Sequence, residues 1–346
     1  MKYVLLFCLV FLFSCAEKNQ YKDAKRFTME DFPEVVSVTG KEVVFEEELY
    51  MPMRIYLLDS VLVLLNRNME SHLTRYNIYT KKKIGEDISF GSGPEEMLNP
   101  ESVQLLDSVV WIYDTGKRRA SRYLRKDFGL SSALKPDSSI VFEEALDKIS
   151  FLNEREIVAT VLSPEHKRLS FFNQEGLIKT VGEFPSIPNE VTAIEAIETF
   201  LGDLAVNPQN GKICLSYRRT DLIEFYDSTG RLEKRLYGPD HFLPFLKQRT
   251  IGEGIGYRSI PGETRDAYFF PVQIRDQVAL LYSGQTFDLD KRMYYLNQIF
   301  FFDWDGKPLK KYILDIPIFH FTIDEQSNRL YGITDDPEFR IIEFQL

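Results

Sequence analysis

Asp303-Trp304-Asp305-Gly306 opens like the start of a calcium-binding loop, with carboxylates at alternate positions and a glycine to turn the chain. The further oxygen ligands and the terminal Glu of such a loop do not follow, so the segment reads as a hairpin turn. Phe90-Gly91-Ser92-Gly93-Pro94 could cradle a phosphate, but the Lys-Ser/Thr step and the helix that make such a loop work are missing. Gly91, Gly93 and Pro94 are therefore expected to form a structural turn between repeats, with left-handed or otherwise strained backbone at the glycines. Four histidines, His72, His166, His241 and His320, stand at no metal-ligand spacing to one another. No Gly-x-Ser-x-Gly elbow occurs. Cys214, within the strand-like run Ile213-Cys214-Leu215, is expected to be a buried, inert thiol. The motifs thus supply no catalytic residue, no metal site and no cofactor. Enzymatic chemistry would need His and acidic side chains brought from separate repeats to a shared axis.

Two segments have the composition of binding surfaces. Lys117, Arg118, Arg119, Arg122, Arg125 and Lys126 form a basic cluster. Strand alternation divides it between two faces, which suits either a solvated edge or an anionic partner such as an acidic glycan or lipid head group. The second is the long insertion 238–266, which holds His241, Phe242, Phe245, Arg249, Tyr257 and Arg258 amid Gly252, Gly254, Gly256 and Gly262. Long connections in compact repeats are often functional, and aromatics with Arg suit recognition. Those six residues are the candidate binding set, expected beside one mouth of a central channel. The glycines argue against a helix or a paired strand there.

The N-terminus carries an address. Lys2 precedes an apolar run, Tyr3 to Phe13, of signal-peptide length and too short to span a bilayer. Leu12-Phe13-Ser14-Cys15 then has the form of a bacterial lipobox, with Cys15 as the lipidation site. Residues 1–14 are the expected lipoprotein signal peptide, 15–33 a polar lipidated tether, and 34–346 the folded domain. A net charge of −10 argues against nucleic acid as a partner. Cys214 is the one cysteine in the body, so no internal disulfide forms.

The elements that must position any site are repeated hairpins. Leu57-Leu58-Asp59-Ser60 leads into Val61–Leu65, and Leu105-Leu106-Asp107-Ser108 leads into Val109–Tyr113. Related turns recur at Asn153, Asn207, Asp276 and Asp324. A second hairpin signature, two aromatics, Asp or Asn, two free positions and Gly, appears at Phe171–Gly176, Phe225–Gly230 and Phe301–Gly306. Four short strands per unit is the size of a propeller blade. Six units fit the chain, and the last has three strands. The expected fold is all-β, a six-bladed β-propeller with about four antiparallel strands per blade, closed by an N-terminal strand within Glu34–Glu46. Helix signals are nearly absent. Asn189–Phe200 is helical by composition but lies where an inner strand is needed.

Phe90-Gly91-Ser92-Gly93-Pro94-Glu95-Glu96, followed by Asn99-Pro100 and by Leu105, Asp107, Val110, Trp111, Ile112 and Asp114, resembles the six-bladed, TolB-like propeller lipoproteins of Bacteroidetes. The resemblance implies a fold and an envelope location, on the periplasmic face or the cell surface, rather than a reaction. Two functions stay open. One is a non-catalytic binding or scaffold lipoprotein, monomeric, held to the membrane by its anchor and meeting an envelope protein or glycan. The other is a propeller hydrolase or lyase acting on carbohydrate or lactone with a channel-bound metal.

Overall fold

The computed structural model describes residues 21–346 apart from 22, 68–69, 188–191, 253 and 289–295. The expected signal peptide and Cys15 lie outside the described residues. Six antiparallel sheets follow one another along the chain. Their innermost strands, in blade order, are Pro52–Leu58, Pro100–Leu106, Leu146–Phe151, Gly202–Val206, Tyr268–Ile274 and His320–Asp324. Each is followed outward by the next strands of its own sheet. The second strand of every blade is buried over almost its whole length, as in Val61–Asn66 and Ile157–Val161. Such a strand is covered on both faces, which is why the sequence there is a continuous apolar run instead of an alternation.

Six hydrophobic clusters fill the spaces between blades, one for each neighbouring pair. The aromatic hairpin signature has a specific place in them. Gly230 and Gly306 have φ of +83° and +69°, and a Cβ on either would lie 2.8 Å from a phenylalanine of the preceding blade, Phe171 and Phe225 respectively. Asp303 Oδ1 accepts the backbone N–H groups of Asp305 and Lys307, so its carboxylate is used to close the turn.

Closure uses the N-terminal segment. Gly40–Val43 pairs antiparallel with Arg340–Gln345 and becomes the outermost strand of blade 6. The same segment does more than the sequence suggested. Val35–Val38 adds in parallel to the outer strand of blade 5, and Lys25–Arg26 adds in parallel to that of blade 4. The polar stretch 15–33, expected to be a tether throughout, is docked from Tyr21 onward. Tyr21, Phe27 and Phe32 are buried, and Phe32 packs its ring on Phe300 and Phe302. Three aromatics spaced among charges were enough to fix a segment whose average composition is that of a linker.

Two connections between blades depart from the sequence reading. Ala193–Thr199 is an α-helix, with Thr192 Oγ1 accepting the N–H of Glu195 at 3.1 Å. The inner strand of blade 4 simply starts later, at Gly202. Within the insertion, Lys247–Ile251 and Gly254–Arg258 form a paired antiparallel hairpin despite their glycines. The hairpin is not isolated: its second strand packs against the helix 193–199.

Candidate functional site

The inner strands do not run smoothly into the axis. Bulges interrupt their pairing between Pro52 and Arg54, Pro100 and Ser102, Leu146 and Lys148, and Phe269 and Val272. A bulge adds a residue and re-aims the side chains beside it. Here the re-aimed positions lie near the start of each strand, where the chain arrives from the preceding blade.

The result is a closed circuit of side chains with one contribution from every blade. Arg54 of blade 1 donates to Glu101 of blade 2 at 3.1 Å. Lys148 of blade 3 donates to the same oxygen at 2.6 Å and stands 3.8 Å from Asp203 of blade 4. Asp203 Oδ2 accepts the backbone N–H of Phe270 in blade 5 at 3.3 Å. The Phe270 ring lies 4.8 Å from the ring of His320 in blade 6, whose Nδ1 accepts the N–H of Ile55 at 3.3 Å, back in blade 1. Arg218 grips Asp203 with two bonds of 2.7 and 3.1 Å. Arg54 and Arg218 also stand over the Phe270 ring, at 4.4 and 5.7 Å from its centre. Phe270 has φ of +47°, a left-handed conformation that is strained for a bulky residue.

The electrostatics follow from this pairing. Burial works against the charge of Asp203, yet Arg218 and Lys148 more than offset it and hold the carboxyl well below its usual range. Glu101 is lowered by the same competition, burial against Lys148 and Arg54. Asp147, beside Lys148, is raised by burial. His320 is buried and driven well below the usual imidazole range, so its ring is neutral. Both central carboxylates are therefore ionised and already shared between cations. They are poor general bases. The mouth instead presents fixed donors and acceptors around an aromatic ring, an arrangement suited to holding a polar ligand.

The insertion 238–266 joins the outer strand of blade 4 to the inner strand of blade 5, so it emerges at the same mouth as the circuit. Glu198 on the helix 193–199 reports the proximity: burial raises its carboxyl, Arg249 of the hairpin lowers it, and Asp147 of the circuit raises it further. The six candidates divide. Phe242 is buried in the core under Arg265, whose guanidinium stands 4.3 Å from its ring centre. His241 packs on Tyr237 and its backbone N–H donates to Asp221. These two root the insertion and are not offered to a ligand. Phe245, Arg249 and Arg258 are exposed and Tyr257 is half-buried. Arg258 and Lys247 line a cavity of about 430 Å³ with Glu263, Ile260, Pro261 and Phe287.

Most of the other candidates make structural contacts. Lys117 donates to the carbonyls of Gly93 and Glu96, Arg119 to that of Glu96, and Arg118 to that of Glu143. Arg122 pairs with Asp137, and Arg125 with Asp59. Five of the six basic side chains thus fasten blade 2 to its surroundings, and Lys126 is exposed. The Gly91–Pro94 turn wraps the side chain of Glu96, whose carboxylate accepts the N–H of Gly93 at 2.7 Å. Gly91 has φ of +157°, as expected of a turn glycine. Gly93 does not have positive φ; a Cβ there would instead lie 2.9 Å from Glu96 Oε2. Close approach, not backbone strain, is what position 93 requires. Cys214 is buried, and burial pushes its thiol up, in keeping with an inert group.

Sequence reasoning missed the circuit. Of its members only His320 had been singled out, as an isolated histidine. Among the described residues no three His, Cys, Asp or Glu side chains converge as a metal site would require.

Residues 29–326 match the family model described as TolB-like 6-blade propeller-like. A comparison with curated proteins finds no match. Among solved structures, a protein from Bacteroides fragilis NCTC 9343 described as exported is similar with a TM-score of 0.50 at 10% identity, over 90% of this chain and 98% of that one. A member of the DUF4221 family from Bacteroides vulgatus ATCC 8482 is similar with a TM-score of 0.51 at 9% identity, over 88% of this chain and 97% of that one. At such identities the likeness is one of fold.

Proposed function

The chain belongs to the TolB-like six-bladed propeller family, and from that premise we propose that it is a non-catalytic binding lipoprotein of the bacterial cell envelope. Cys15 carries the lipid, and the mouth bearing the circuit and the insertion is the recognition face. The observation behind this reading is the state of the circuit: Glu101 and Asp203 are each held by two cations, leaving an ordered polar surface in place of a reactive carboxylate. A structural neighbour described as exported supports the location.

Two measurements test it. Cys15→Ala should abolish fatty-acid labelling and processing at that site; undiminished labelling would remove the anchor. Metal analysis and mass spectrometry of material isolated from the native envelope should give a bound organic ligand or protein partner. A stoichiometric metal held by residues of several blades would replace this reading with that of a hydrolase or lyase acting on carbohydrate or lactone.

A further inference from the structure

Lys247 and Arg258 are direct cross-strand partners on the insertion hairpin, and Arg249 stands on the same face opposite Gly256. Like charges placed opposite one another destabilise a strand pair. None of the three side chains stands at ion-pair distance from a carboxylate among the described residues, although Glu263 lines the same cavity as Lys247 and Arg258 and Glu198 feels the charge of Arg249; the protein's net charge is −10. The same small region exposes apolar groups. Phe245 is 48% exposed, Ile255 at the hairpin's far end is 54% exposed, and Ile194 on the helix packed against it is 46% exposed. By the same alternation Ile255, paired with Thr250, lies on the hairpin's opposite face, so Phe245, two residues before Lys247, is the exposed apolar group nearest the cations in sequence. Cations next to an exposed aromatic side chain are the composition of a surface that rests on an anionic membrane, the stems and the ring entering the interface while the charges meet headgroups.

The place where the N-terminal segment docks points the same way. The Tyr21 hydroxyl is 2.5 Å from Thr220 Oγ1, and Thr220 in turn donates to the carbonyl of Phe242. The docked segment therefore begins at the root of the insertion. From Cys15 to Tyr21 is six residues, a span of at most about 20 Å. A lipid on Cys15 would keep the root of the insertion within that reach of the bilayer.

We infer that the 247–258 hairpin is a membrane contact: Lys247, Arg249 and Arg258 engage anionic lipid headgroups, Phe245 enters the interfacial layer, and the ringed mouth of the propeller faces the lipid surface. This rests on the anchored reading above but is tested apart from it. The protein beginning at Ala16 keeps every described residue and carries no lipid. Mixed with phosphatidylcholine vesicles, with and without phosphatidylglycerol, it should sediment with the anionic vesicles and be released by salt. Each Lys or Arg near such a surface contributes about fivefold in affinity, so replacing all three by Gln should weaken binding about 100-fold. Phe245→Ser should weaken it further without changing the salt dependence. These positions are exposed, so the variants should keep the parent's melting temperature, and that measurement checks that they are folded. Equal binding to neutral and anionic vesicles, or undiminished binding by the triple variant, would overturn the inference. So would capture by a soluble acidic polysaccharide in preference to vesicles, which would assign the hairpin to a glycan. Failure here with Cys15 still labelled rejects the membrane contact alone; loss of labelling with vesicle binding intact rejects only the anchor.

Discussion

The guanidinium of Arg54 in blade 1 lies 4.4 Å from the centre of the Phe270 ring in blade 5, reaching past the blade that separates them. A contact between non-adjacent blades can form only where the inner strands converge. It needs Phe270 to hold a left-handed backbone conformation at a bulge. The circuit is therefore maintained against local strain, and the strain can be measured.

Phe270→Gly and Phe270→Ala both remove the ring. Only alanine keeps the steric cost of positive φ. The glycine variant should be the more stable of the two by about 1 kcal/mol in denaturant unfolding. An alanine variant equal to or more stable than glycine would show that position 270 is not strained.

Asp203 is held below its unfolded value of about 3.9. Its contribution to stability is thus present above that pH and is lost as pH falls toward the lower folded value. Asp203→Asn should lower stability at pH 7 and make the acid limb below about pH 4 shallower than in the parent. Unfolding curves at pH 7 and pH 3 check this; equal losses of stability in both proteins would contradict it.

Lys148 is shared by Glu101 and Asp203. Lys148→Met leaves both acids with reduced compensation at a mostly buried position and should cost about 2–4 kcal/mol. Combining it with Glu101→Gln should recover part of that loss. Simple additivity of the two changes would mean that the circuit is not energetically coupled.

Gly91→Ala and Gly93→Ala should both destabilise, through different causes. At 93 the obstacle is the Glu96 side chain, so adding Glu96→Ala should remove the clash. At 91 the positive φ persists whatever stands at 96. The double variants, compared by thermal unfolding, should therefore diverge, with 93 rescued more completely than 91.

The blades were legible because their turns repeat. Aromatic pairs, Asp or Asn and Gly recur at fixed spacing, and each has a local job that any blade must perform. The circuit was not legible because it has no fixed spacing and no fixed residue type. Glu101 precedes its turn residue Asp107 by six positions, whereas Asp203 precedes Asn207 by four, and the members are Arg, Glu, Lys, Asp, Phe and His. Bulges set those offsets, and a bulge leaves little mark in a sequence. The hairpin 247–258 was missed as a strand pair for a related reason. Glycine weakens an isolated pair, but the packing of this one against the helix 193–199 is a tertiary fact. The docked segment 21–33 shows the opposite error, in which composition averaged over a window hid three anchoring aromatics.

The segment that closes the ring is also the segment that leads to the proposed attachment point, and this has a mechanical consequence. A pull applied at Tyr21 reaches blade 4 first, through Lys25–Arg26, then blade 5 through Val35–Val38, and only then the closing strand Gly40–Val43 in blade 6. The two parallel additions act as fuses in series ahead of the seam. Each can peel from its sheet while the four strands beneath it stay paired, so the ring stays shut until both have given way.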